Sequence, residues 1–189
     1  MNTTNLLSST NAFAARLEAI LNDLQMFGVC KALQMDHICV RTSSVEQTEH
    51  IHNSLELVGS TISTAEVGGR LIHIIQLTEP VQVGHWETNA VELPYPKQNR
   101  PYTDGWEHVE FVLPGTENTM TDVRGVFDSL FPHLVQSRFV EQYQRKDDEP
   151  KASGDQLPNP TIGIKAAGIG IKFHARSIQA VVGYTKPPQ

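Results

Sequence analysis

The sequence predicts an α+β fold built from two βαβββ modules, with a helix ahead of them. One observation is that strand-like alternation followed by helix-like periodicity occurs twice, beginning at MDHICVR and at WEHVEFVLP. A second is that His37 and His108, which lie 71 positions apart (108 − 37), stand in the similar tripeptides DHI and EHV. Repetition of this kind is typical of an internally duplicated unit.

The first 34 residues are predicted to form an N-terminal helical extension. Their apolar residues recur at helical spacing, and Gly28 is expected to end the helix. The positions on this face are Phe13, Leu17, Ile20, Leu21, Leu24 and Phe27. Because such a face must be buried, we expect the helix to cover one side of the main domain.

The first module is predicted to span residues 35–98 and the second residues 99–189, together forming one compact domain. In the first, a strand, a helix and a hairpin through Gly68 and Gly69 precede a third apolar run, AVELPYP. In the second, a strand and a helix precede a terminal hairpin formed by TIGIK and IGIKFHA. The polar stretch 141–160 is predicted to be a long mobile loop that serves either as a lid or as a plain connection.

Composition and charge exclude several classes of function. The chain of 189 residues has a formal net charge of −6 and no basic cluster suited to nucleic acid. Its longest apolar run, LIHIIQL, is too short to cross a bilayer. The two cysteines, Cys30 and Cys39, have no metal-ligand spacing and suggest a reducing compartment. We therefore predict a cytoplasmic monomer or homodimer with no nucleic-acid or membrane partner.

Alternation along the strands predicts a metal site. Apolar residues of each strand face the helices, which leaves ligand-type residues of the first and last strand of each module on the opposite face. The predicted ligands are His37, Glu92, His108 and His174. Three imidazoles and a carboxylate suit a divalent transition metal such as Zn, Fe, Mn or Ni, whereas Ca and Mg prefer oxygen ligands. A single histidine in a strand is more often structural, so this hypothesis depends on the repeat.

The sequence resembles the vicinal oxygen chelate superfamily, which includes glyoxalase I, extradiol dioxygenases and bleomycin resistance proteins. Within it, the strings EPVQVGHW, VELPYP, GWEHVEFVLPG, LPNPT and IKFH are similar to the YecM family. The resemblance implies an open, bowl-like mixed sheet with helices outside, a divalent metal at its floor, and substrates with neighbouring oxygens. It carries over to His37, Glu92 and His108, but His174 stands where the superfamily commonly has a glutamate.

Two functions remain open. The first is a metal-dependent isomerase, lyase or dioxygenase in which Glu110, on the same face as His108, acts as general base. In this enzyme Arg41, Arg70 and Lys172 would bind an anionic group of a small-molecule substrate. The alternative is a non-catalytic protein that sequesters a small ligand, with Trp106 and Trp86 as apolar walls. A weaker hypothesis is a partner-binding role for the N-terminal helix.

Overall fold

The computed structural model describes residues 3–115 and 119–185. The helices are α1 Thr3–Ser8, α2 Thr10–Asp23, α3 Phe27–Cys30, α4 Val45–Leu55, α5 Met120–Leu130, the 3-10 helix Pro132–Val135, α6 Ser137–Val140 and α7 Ile178–Val181. The strands are β1 Gln34–Arg41, β2 Gly59–Glu66, β3 Leu71–Val83, β4 Trp86–Pro94, β5 Gly105–Val112, β6 Gln144–Asp148, β7 Thr161–Ala166 and β8 Ile169–His174. Within these ranges, no helix has the length and apolar character that crossing a bilayer requires.

The eight strands form one open mixed sheet, and the strand order of its second half is the mirror image of the first. From edge to edge the order is β2-β3-β4-β1-β5-β8-β7-β6. In each half the first strand pairs in parallel with the last, β1 with β4 and β5 with β8, and the two first strands meet antiparallel at the centre. The predicted α+β fold of two βαβββ modules is therefore confirmed.

The helix of each module begins with the same type of cap. The Ser44 hydroxyl accepts a hydrogen bond from the Gln47 N–H at the start of α4, and the Thr119 hydroxyl does the same for the Asp122 N–H at the start of α5. Both helices have an apolar stripe, and the residues that it buries include Ile51, Leu55, Val123 and Phe127. These side chains join the inward residues of the strands in one hydrophobic core.

The N-terminal extension differs from its prediction in where the helix ends. Helix α2 ends at Asp23, because Gln25 adopts a left-handed conformation with φ of 56°. Gly28 does not end this helix and lies within the short helix α3. Leu17 and Leu21 on its apolar face are fully buried, so the extension covers part of the core as expected.

The prediction of a loop over residues 141–160 is wrong in one part. Residues Gln144–Asp148 form the edge strand β6, which pairs antiparallel with β7 and is the second strand of the second module. Its sequence, QRKDD, has no apolar alternation, because an exposed edge strand buries neither face. The remaining segment is held to the domain by a hydrogen bond from the Gln156 N–H to the Val181 carbonyl, 2.8 Å long.

Candidate metal centre

A bulge in each central strand precedes the histidine of that strand. On β1, Met35 pairs with Phe111 and His37 with Glu110, so Asp36 is an extra residue without a partner on β5. On β5, the neighbours of Glu107 pair with consecutive residues of β1, so Glu107 is the extra residue there. Because a bulge puts two successive side chains on one face, each acidic residue lies beside the histidine that follows it.

These two carboxylates orient the imidazoles. His37 Nδ1 lies 2.7 Å from Asp36 Oδ2, and His108 Nδ1 lies 3.1 Å from Glu107 Oε2. An Nδ1–H that donates to a carboxylate leaves Nε2 as the free acceptor, as is usual for metal-binding histidines. Arg41 in turn forms an ion pair with Glu107 through its Nε. The acidic residue before each histidine was visible in the sequence, but only the bulges explain its position.

Four donor atoms from strands β1, β4 and β5 converge on one face of the sheet. His37 Nε2 lies 3.4 Å from Glu92 Oε2 and 3.2 Å from Glu110 Oε1. His108 Nε2 lies 3.5 Å from the same Glu92 oxygen and 3.2 Å from the same Glu110 oxygen. A tetrahedral ion with bonds of about 2.0–2.1 Å separates its ligand atoms by about 3.3–3.4 Å. Four of the six distances among these donors are thus close to the separation of ligand atoms around a transition metal, and His37 Nε2 is buried without a hydrogen-bond partner.

This set differs from the predicted one in a single member. Glu110, predicted as a general base, contributes a donor atom, whereas His174 lies beside the cluster. The His174 Nε2 is 3.5 Å from Asp36 Oδ2 and 3.7 Å from Glu110 Oε2, and its Nδ1 contacts the Arg176 carbonyl. His174 therefore packs against Glu110, a member of the cluster, and against Asp36, which contacts His37.

Lys172, not His174, occupies the place in the second half that Glu92 has in the first. Glu92 on β4 pairs with Cys39, the second residue after His37, and Lys172 on β8 pairs with Glu110, the second residue after His108. The Lys172 ammonium donates to Glu110 Oε1 at 2.6 Å and lies 3.0 Å from His108 Nε2. Lys172, predicted to bind substrate, thus contacts two of the four donor groups.

The placement of Trp106 in the cavity is wrong because the bulge at Glu107 reverses the alternation of β5. Trp106 packs against the core, and its indole N–H donates to the Leu6 carbonyl and the Ser9 hydroxyl of the N-terminal extension. Trp86 is also a core residue, with its indole N–H bonded to the Cys30 carbonyl at 2.9 Å. Both tryptophans therefore hold the extension to the sheet.

The oppositely charged groups of the cluster shift one another's pKa values. Burial alone would raise the pKa of Glu92 and Glu110, but Lys172 and the two imidazoles outweigh it and hold both pKa values well below the usual range. Burial would lower the pKa of His37, but Glu110, Asp36 and Glu92 raise it well above its usual value. A metal ion must therefore displace protons from the imidazoles, so its affinity falls as the pH falls.

Gly170 leaves the space that His108 needs. It pairs with His108 across β5 and β8, and a Cβ at this position would lie 2.8 Å from His108 Cβ. We expect Gly170→Ala to displace the imidazole and to lower both the free energy of unfolding, by about 1–3 kcal/mol, and the metal affinity. Urea unfolding and zinc titration measure these effects. Gly125→Ala in α5, where an added Cβ meets nothing within 4 Å, is the control, and equal zinc binding by both variants would contradict this expectation.

A cavity of about 410 Å³ opens above the cluster. His37, Glu92 and Glu110 lie at its floor, and the predicted substrate-binding residues Arg41, Arg70 and Lys172 also line it. The segment after β6 forms part of the wall, through residues that include Lys151, Asp155 and Asn159. Apolar side chains such as Ile72, Ile74 and Val181 complete it.

Comparison with known proteins places the chain in a family. A family model described as YecM protein matches residues 2–185. Protein YecM of Escherichia coli K12 is 35% identical over 150 residues, which are 79% of this chain and 77% of that protein. An uncharacterized protein of Haemophilus influenzae is 29% identical over 159 residues, covering 81% and 80% of the two chains. A solved structure titled Structural Genomics, Protein EC4020 superposes with a TM-score of 0.79 at 29% identity, covering 95% of this chain and 91% of the other. The chain belongs to the YecM family.

Proposed function

We propose that this protein binds a divalent transition metal in the manner of the vicinal oxygen chelate superfamily and acts as a metalloenzyme on a small molecule with neighbouring oxygens. The observation that carries the proposal is the set of four buried donor atoms contributed by His37, Glu92, His108 and Glu110, beside a cavity from which the oxygens of a substrate can complete the coordination of the ion. The mirrored order of the two βαβββ halves, with one histidine on each central strand, supports the superfamily assignment.

The chain's own residues have distinct parts in this proposal. Asp36 and Glu107 keep each Nε2 directed at the metal, and Glu110 serves as a ligand instead of a general base. When bound, the metal supplies Lewis-acid polarisation of a substrate oxygen. Lys172, at the floor of the cavity, is placed to donate a proton or a hydrogen bond to a substrate oxygen that becomes more negative during the reaction. The cavity volume suits a small metabolite, since ligand pockets are roughly 300–1,000 Å³.

A sequestering protein without turnover is the second candidate. The position of Glu110 favours it, because the carboxylate predicted to act as base is engaged with both imidazoles and with Lys172. Binding of a chelating ligand without chemical change would distinguish this function from an enzyme.

The metal is tested by elemental analysis of protein purified without a histidine tag. We expect about one equivalent of a divalent transition metal per chain, and loss of stoichiometric binding in Glu92→Ala and His108→Ala. His50→Ala, at an exposed position of α4, is the matched control and should retain the metal. Absence of bound metal after exposure to Zn, Fe(II), Mn and Ni would refute the proposal.

The ligand class is tested next. Acetohydroxamic acid, which is uncharged in solution near neutral pH and chelates metals as acetohydroxamate through two neighbouring oxygens, should bind the zinc-loaded protein and should not bind the metal-free protein in isothermal titration. Equal binding with and without zinc would contradict chelation at this centre. Turnover is then sought with small hydroxy- and oxo-acids.

A further inference from the structure

Two arginines face the cavity around one tyrosine. The Arg41 guanidinium lies over the Tyr102 ring, with its central carbon 5.6 Å from the ring centroid. Arg70 Nη1 donates to the Tyr102 hydroxyl at 3.3 Å. Both arginines line the cavity whose floor carries His37 and Glu92. Tyr102 therefore contacts both of these arginines, and the guanidinium of Arg100, which is not a lining residue of the cavity, also lies 5.6 Å from its ring centroid.

Each guanidinium keeps a buried N–H group without an acceptor. These groups are Arg41 Nη1 and Arg70 Nε. Arg41 is partly neutralised by Glu107, whereas no carboxylate of the described residues lies within ion-pair distance of Arg70. Burial and the charge of Arg41 lower the pKa of Arg70, which reflects the cost of holding the two cations together. An unsatisfied buried donor is unfavourable, and more so when it is charged, so this arrangement favours an anionic acceptor.

Two other cations of the cavity already have a carboxylate partner. Lys172 is bonded to Glu110, and Lys146 forms an ion pair with Asp148. Both guanidinium groups share the lining of this cavity with His37 and Glu92 of the candidate metal centre. A ligand that reaches the metal can therefore also reach the arginines.

We propose that Arg41 and Arg70 form an anion-binding subsite that takes a carboxylate or phosphate group of the substrate. This inference rests on the proposed function, in which the cavity is the substrate site. It specifies the class of substrate, which is a small anionic metabolite with neighbouring oxygens at one end. The planar guanidinium of Arg70 offers Nε–H to one oxygen of such a group, and Arg41 Nη1 offers a hydrogen bond to the other.

The subsite is tested first in metal-free protein. Succinate and inorganic phosphate are titrated separately at fixed ionic strength, and the tighter of the two identifies the preferred anion. We expect saturable binding of one equivalent in the unaltered chain and binding weaker by about tenfold or more in Arg70→Met. Arg16→Met, at an exposed position of α2, is the matched control and should bind like the unaltered chain. Absence of saturable binding of both anions, or equal binding in Arg70→Met, would overturn the proposal.

A second measurement separates this subsite from the metal. In zinc-loaded protein, Arg70→Met should weaken the binding of 2-oxoglutarate, which has neighbouring oxygens and a distal carboxylate. It should leave the binding of acetohydroxamate unchanged. Unchanged acetohydroxamate binding also shows that the variant is folded. Equal loss of both ligands would overturn the assignment of Arg70 to an anion. Failure to bind zinc would overturn the metal centre alone, because anion binding in the metal-free protein reports on the arginines separately.

Discussion

Asp36→Ala is expected to lower the free energy of unfolding by about 3–5 kcal/mol and the zinc affinity by about 10–100-fold. The Asp36 carboxylate is fully enclosed and accepts hydrogen bonds from His37 Nδ1 at 2.7 Å and from the Ile178 N–H at 2.9 Å. Alanine leaves His37 Nδ1 buried without an acceptor, removes the acceptor of the Ile178 N–H, and removes the group that orients the His37 ring. Urea unfolding and competition with a fluorescent zinc chelator measure the two effects.

The matched control is Asp128→Ala. Asp128 lies 2.8 Å from Arg145 Nη1 on the surface, and its side chain is 54% exposed. An exposed ion pair contributes about 0–1 kcal/mol, so this variant should differ little in stability and bind zinc normally. Asp36→Asn, which keeps one acceptor oxygen, should fold and still bind zinc more weakly. Normal zinc affinity in Asp36→Asn and Asp36→Ala would refute the orienting role of this carboxylate.

Lys172→Met is expected to bind zinc about 10–100-fold more tightly than the unaltered chain. In the metal-free protein the Lys172 ammonium lies 2.6 Å from Glu110 Oε1 and 3.0 Å from His108 Nε2, two of the atoms that a metal would bind. A metal must first displace this cation. Methionine has a similar length but no charge, and it leaves the buried carboxylates without a counter-ion until a metal arrives.

The same change has a second consequence. Metal-free Lys172→Met should be less stable than the unaltered chain, and zinc should restore its stability, because a ligand that binds only the folded state raises the free energy of unfolding. Lys165→Met, at an exposed position of β7, should alter neither quantity. Weaker zinc binding by Lys172→Met would show that lysine and metal do not compete, and would contradict the position assigned to the ion.

The sequence was sufficient to predict that His37, Glu92 and His108 lie close together, because the internal duplication relates positions of one half to positions of the other. Alternation assigns a residue to a face of the sheet, and the repeat relates His37 to His108, so both could be predicted to lie on one face. Alternation does not determine the register between strands, which decides which residue of one strand lies beside a given residue of its neighbour. Lys172 and His174 lie on the same face two residues apart, and only the pairing of Glu110 with Lys172 shows which of them is level with the cluster.

The bulges are the main feature that periodicity could not predict. A single extra residue in β5 reverses the faces of all positions before it, which moved Trp106 from the expected cavity wall to the core. The same type of bulge brought Asp36 beside His37. Strand β6 was not predicted for a different reason. It lies at the edge of the sheet, where its charged residues bury neither face.

The central pair of β1 and β5 makes the folding of the two halves interdependent. Each of these strands has one neighbour in its own half, and its other edge is covered only by the opposite half. A chain cut between β4 and β5 would expose a full row of unpaired backbone N–H and C=O groups along β1, and such an edge invites pairing with another strand. It would also separate His37 and Glu92 from His108 and Glu110. The continuous sheet and the candidate site therefore both require the same pairing of β1 with β5.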